Sequence, residues 1–312
     1  MTTKKVRAPW SNPSDAPVIE QSIHDYIVSI FRMSPRDRGV EIIPISPGAE
    51  AKRGWDAAVK QVVPLFFQYK LPDFTSRPQS TQAAAHARRQ EWKFNDADGL
   101  FHFRLRAKAA NEPRSQHELL VDLQDQGARV FYVSPSFIDF KRLRFGGELI
   151  NESPWVSSHI SLLGWSILER VDVPVFRDLI CIPPHQNVDG KPEDHQFYFN
   201  RHHEVSLHSE AAQVEALNLR ELLVDQIGLV RQQVGVVSRE NYEGFVAGVI
   251  VALAGESINP ESRSTVRRFF EAHLDNVPAE DTNQMMRSMR ALARTVKKLS
   301  GIEMMLTIDR TT

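Results

Sequence analysis

Three short segments carry side chains that together could hold a metal ion against a phosphate. Glu20 stands at the start of a helical stretch, Asp56 lies in Gly54-Trp55-Asp56-Ala57 where a strand begins, and Gln68-Tyr69-Lys70 closes an apolar run. In a strand, residues two apart share a face, so Gln68 and Lys70 are expected side by side. A hard cation such as Mg²⁺ or Mn²⁺ seeks oxygen ligands from carboxylates, amide carbonyls and water. Asp56 and the Gln68 carbonyl are the candidate metal ligands, with Glu20 in or just behind that shell. The metal would polarise a phosphate and activate water, and Lys70 would stabilise the charge that develops on the phosphorane.

Those residues are useful only if secondary structure presents them together. Ile19, Ile23, Tyr26, Ile27 and Ile30 recur at helical spacing, and Ser34-Pro35 ends that helix. Val40–Ile45, Gly54–Val59 and Pro64–Tyr69 read as short strands. Phe101, Phe103 and Leu105 alternate with His102, Arg104 and Arg106, the pattern of a half-buried strand. Ser115–Gln126 is an amphipathic helix closed by Gly127, and Arg129–Val133 is a buried strand. Asp56, on a strand next to Gln68, is expected to meet Gln68 and Lys70 at one sheet end.

This order of helix, strands, helix and strand resembles the PD-(D/E)XK nuclease superfamily, and among it the Mrr-type restriction members, where glutamine often replaces the second carboxylate. The resemblance covers residues 18–135 and rests on Glu20, Asp56, Gln68-x-Lys70 and the two elements that follow. It implies a restriction-endonuclease-like mixed sheet flanked by helices, a metal-dependent cut in DNA and a polar residue on the second helix facing the site. Gln116 holds that position. A role in restriction or anti-phage defence follows by family analogy alone. The rival reading is a nuclease-like module without catalysis that binds nucleic acid or a protein partner, because Gln68 stands where a carboxylate is usual.

The remaining sequence narrows the partners. Thirty-eight Lys and Arg against 39 Asp and Glu give a net charge of -1, so a nucleic acid must be met by a local basic surface. Arg104 and Arg106 form one such patch; Lys141 and Arg142, interleaved with phenylalanines, form another. His195, His202 and His203 with Asp194 and Glu204 are weighed as a metal cluster, but adjacent histidines in a strand point opposite ways. The lone Cys181 excludes an intrachain disulfide and a cysteine zinc site. No apolar run approaches the ~18 residues that span a bilayer, and the N-terminus lacks a secretory h-region; a cytoplasmic location is expected. The chain divides by composition into an arm (1–17), a nuclease-like α/β core (18–135), a mixed strand and loop extension (136–209) and a mainly helical region (210–312). The last is a candidate face for a partner subunit or a homo-oligomer.

Overall fold

In chain order the elements are α1 (Glu20–Phe31), β1 (Val40–Pro44), β2 (Gln61–Tyr69), β3 (Asp73–Thr75), β4 (Leu100–Arg104), α2 (Gln116–Asp125), β5 (Arg129–Pro135), α3 (Ile167–Val171), β6 (Leu179–Ile182), β7 (Gln196–Phe199), β8 (Val205–Leu207), β9 (Ala212–Val214), β10 (Leu217–Asn218), α4 (Leu219–Arg231), β11 (Val237–Ser238), α5 (Tyr242–Ala254), α6 (Gln284–Ser300) and β12 (Glu303–Asp309). They come from a computed structural model that describes residues 18–31, 40–44, 61–75, 94, 98–108, 114–138, 143, 167–185, 188, 191–207, 212–238, 241–254 and 284–309.

The protein is mixed α/β. Among the described residues one sheet has seven strands in the order β1-β12-β2-β5-β6-β10, with β11 also paired to β2. Among the described pairs of this sheet, β2–β5 is parallel and the others are antiparallel. β2 is buried on both faces from Val62 to Tyr69, as a strand with neighbours on both edges and layers on both sides must be. Residues of one parity, Val62 and Phe66, face a layer made by α2, α5 and α6; the other parity, Val63, Leu65 and Phe67, faces α1, α3 and α4. A second, five-stranded antiparallel sheet, β3-β4-β7-β8-β9, adds Phe101, Phe103, Phe197 and Phe199 to the first of these layers.

The C-terminal strand corrects the expected arrangement in two ways. The last hundred residues are not only helical: β12 lies between β1 and β2 and pairs with β2 from Glu303 opposite Phe67 to Ile308 opposite Val62. Burying Met304, Leu306 and Ile308 contributes on the order of 1.5–3 kcal/mol each. The flanks of β2 are therefore taken by β12 on one side and by β5 and β11 on the other. The strand expected beside Gln68, at 54–59, lies outside the described residues. Strands from 18–135, 136–209 and 210–312 lie side by side in both sheets, so these compositional stretches are not divisions of the sheets.

Local chemistry explains the elements that frame the site. Ser115 and Glu118 form a capping box on α2: the Ser115 hydroxyl accepts from the Glu118 N–H and the Glu118 carboxylate from the Ser115 N–H. Asn218 and Glu221 repeat it on α4. The buried Arg170 guanidinium donates to the Ile30 carbonyl at 3.2 Å and satisfies an acceptor at the end of α1. α6 ends at Gly301, whose φ of 71° suits a residue without a Cβ and whose N–H returns to Lys297 O. That turn sends the chain straight into β12.

Candidate functional site

Gln68 and Lys70 leave the C-terminal end of β2 on the α2 side, and the first residue of α2 meets them. The Lys70 ammonium donates to Gln116 Oε1 at 2.8 Å. Gln116 Nε2 donates to Gln68 Oε1 at 2.6 Å and to the Ser300 carbonyl at 2.7 Å. Gln68 Nε2 in turn donates to Tyr69 O at 3.1 Å. The amide orientations are dictated from the two ends, because an ammonium only donates and a carbonyl only accepts. All three side chains are buried.

Two neighbours set the electrostatics. Lys70 is anchored by its N–H to Val133 O, and its ammonium lies 5.8 Å over the Tyr132 ring. Burial pulls the Lys70 amine down to about 8; the Glu20 carboxylate opposes that shift and Arg106 adds to it. Burial pushes the Glu20 carboxyl above its usual value, against the attraction of Lys70. Lys70 thus couples to the first residue of α1 as well as to the first of α2. Near neutrality such a lysine is charged in most molecules, yet yields its proton more readily than an exposed one.

Gln68, Lys70 and Gln116 converge. Glu20 is coupled to Lys70 by charge. Asp56 lies outside the described residues, as do Lys141 and Arg142. Arg106 acts on Lys70, whereas Arg104 sits opposite Gln196 in the five-stranded sheet. The histidine segment is corrected: His202 and His203 are not in a strand but in the turn between β7 and β8. There the Asn200 side chain accepts from the His202 and Glu204 N–H groups and donates to the Glu204 carboxylate, and His203 has a φ of 63°. Among the described residues no group of three His, Cys, Asp or Glu is placed to hold a metal. Of the expected metal ligands, Glu20 and Gln68 lie among the described residues, and the Gln68 carbonyl is engaged by Gln116.

Sequence reasoning missed the opposite face of the β2 end. Glu303, buried at the start of β12, pairs with Lys297 at 2.5 Å and lies 3.9 Å from His24 Nε2. His24 packs edge-on to Tyr69. Burial lowers the His24 pKa despite Glu303 beside it. One signal was available: Glu20 and His24 are four apart and so share a helix face. Ser300 had none, since its contribution is a backbone carbonyl.

The chain matches no protein-family model, no curated protein and no solved structure. Among the described residues no helix is long and apolar enough to cross a membrane.

Proposed function

We propose that the β2 end is the centre of a metal-dependent nuclease that hydrolyses DNA phosphodiester bonds. The observation that carries this reading is the convergence of Gln68, Lys70 and Gln116 from separate elements, with Glu20 electrostatically tied to Lys70. The resemblance to the PD-(D/E)XK superfamily asks for that combination, including the polar residue on the second helix. Mg²⁺ or Mn²⁺, held by Asp56, Gln68 and Glu20, would supply Lewis-acid polarisation of the phosphate. Lys70 then holds positive charge beside the scissile group, and Gln116 fixes the ammonium and the Gln68 carbonyl relative to one another. A place in restriction or anti-phage defence remains part of this proposal by analogy.

The second reading, a module that binds nucleic acid or a protein without cutting it, draws on one specific observation. Gln68 Oε1 and one of the three Lys70 N–H donors are already bonded to Gln116, so a metal or phosphate at the β2 end competes with an existing hydrogen bond.

Cleavage of plasmid and oligonucleotide DNA by the full chain, in Mg²⁺ or Mn²⁺ against chelator, tests the pair. The nuclease reading expects metal-dependent products and a loss on the order of a hundredfold or more for Asp56→Ala and Lys70→Ala, with a smaller loss for Glu20→Ala. Cleavage that survives both larger substitutions removes the site. DNA bound equally with and without chelator, and left intact, favours the module.

A further inference from the structure

Strand register places Tyr132 beneath the Lys70 side chain. β5 runs parallel to β2 with Tyr132 opposite Gln68, so these two side chains share the α2 face of the sheet. Lys70, two residues beyond Gln68, reaches the same face, and its ammonium lies 5.8 Å over the Tyr132 ring. The ring is fixed from its other sides. Phe103 of β4 and Phe197 of β7 pack against it at centroid distances of 5.5 and 5.7 Å. Its hydroxyl shares a 2.8 Å hydrogen bond with His117 Nδ1, and the two rings are parallel to within 2°. Tyr132 and His117 are both buried.

Core packing alone explains part of this arrangement, because a buried tyrosine needs a partner for its hydroxyl and His117 supplies one. It does not explain an ammonium over the ring face. A lysine carried into a buried layer loses water, and the negative face of an aromatic ring returns part of that attraction, which an aliphatic side chain at 132 would not. Burial pushes the Tyr132 hydroxyl well above its usual range, so the ring stays a neutral phenol. α2 therefore meets Lys70 by two routes. Gln116 accepts one N–H, and His117, the next residue, holds the ring on which the ammonium rests. Consecutive helix residues diverge by about 100°, which lets one turn reach both the ammonium and the strand below it.

We propose that Tyr132 and His117 are positioning residues for Lys70: the Tyr132 ring holds the ammonium at the β2 end, and His117 holds the ring. Neither touches the substrate; both act through Lys70. A ring face suits this task better than a carboxylate would. It attracts the charge without neutralising it, and it leaves the N–H donors not bonded to Gln116 for a phosphate. The proposal rests on the nuclease reading for what the placed charge does, stabilisation of the phosphorane. Placement itself needs neither metal nor DNA.

NMR of the full chain, without metal or DNA, tests the placement. The Lys70 ε-methylene signal, assigned by its loss in Lys70→Arg, should lie upfield of those of the other lysines, as for a group over a ring face. The shift should persist in Tyr132→Phe and disappear in Tyr132→Leu. It should shrink in His117→Leu and return in His117→Asn, whose amide can replace Nδ1 as the hydrogen-bond partner. An unshifted Lys70 in the wild type overturns the proposal without any variant having to fold, as does a shift that survives in folded Tyr132→Leu. An equal shift in wild type and folded His117→Leu overturns the part given to His117. Cleavage of DNA in Mg²⁺ tests the consequence: Tyr132→Leu should lower kcat by about tenfold or more with KM changed less than about twofold, and Tyr132→Phe should keep kcat within about threefold. Equal losses in the two folded variants, or a loss in KM alone, overturn positioning and leave a packing role. A wild-type chain that binds DNA without cutting it counts against the nuclease reading, and the NMR result then decides the placement by itself.

Discussion

On one face of the β2 terminus, Gln68, Lys70 and Gln116 exchange hydrogen bonds around a single buried cation. On the other face, Glu303 pairs with Lys297 while, among the described residues, Glu303 Oε2, His24 Nδ1 and the Tyr69 hydroxyl are buried without a hydrogen-bond partner. On the first face every polar group at the hub is paired, because Gln116 has an acceptor for Lys70 and donors for Gln68 and Ser300. The second is held by charge, and its leftover polar atoms cost stability. The hydrogen-bonded network ties β2 to α2, and the charge cluster ties β12 to α1 and α6.

Gln116→Ala should show the largest effect. It strands the Lys70 ammonium, the Gln68 carbonyl and the Ser300 carbonyl together, and should cost roughly 2–4 kcal/mol in denaturant unfolding. A loss below about 0.5 kcal/mol would mean that water replaces the hub at no cost.

Lys297→Met attacks the other face by leaving the Glu303 carboxylate buried with His24 as its remaining ionic neighbour. Removing a partner from a fully buried pair costs about 3–5 kcal/mol. Lys297 is partly exposed and therefore screened, so the expected loss is about 1–3 kcal/mol. Unchanged stability would show that Glu303 does not depend on that pair.

The pH dependence separates the faces. Lys70 has a folded pKa of about 8, below its ordinary 10.5, so the unfolded chain holds that proton more tightly. Stability from this group therefore rises between pH 8 and 10.5, by up to about 1.4 kcal/mol per pH unit at its steepest. His24 is also depressed, so its contribution is present above pH 6.5 and is lost as pH falls through the folded value. The stability difference between wild type and Lys70→Met should change in the alkaline window, and that between wild type and His24→Phe in the acid one. Flat differences would remove the assignments.

The smallest expected effect is that of Glu20→Gln. Stability should move by less than about 0.5 kcal/mol, as for most surface substitutions. The Lys70 pKa should fall further, because the carboxylate that opposes its depression is gone. A lysine side-chain titration by NMR reads this directly, and an unmoved or raised Lys70 would show that Glu20 is not part of the site.

Much of the local structure was legible in the residues alone. The capping box of Ser115 and Glu118, the apolar spacing of Leu119, Leu120 and Leu123 and the stop at Gly127 are interactions within one turn or a few, so sequence carries them whole. The alternation in Leu100–Arg104 and the shared face of Gln68 and Lys70 follow from the two-residue period of a strand. What only the tertiary structure decided is which strand lies beside β2. Hydrogen bonding between strands is chemically the same for any extended segment of suitable polarity, so the sequence neighbour at 54–59 was as plausible as Ile302, Met304, Leu306 and Ile308, some 240 residues further on. The Ser300 carbonyl that completes the Gln116 hub and the Glu303 cluster both depend on that long-range choice. Neither has a local period or motif to announce it.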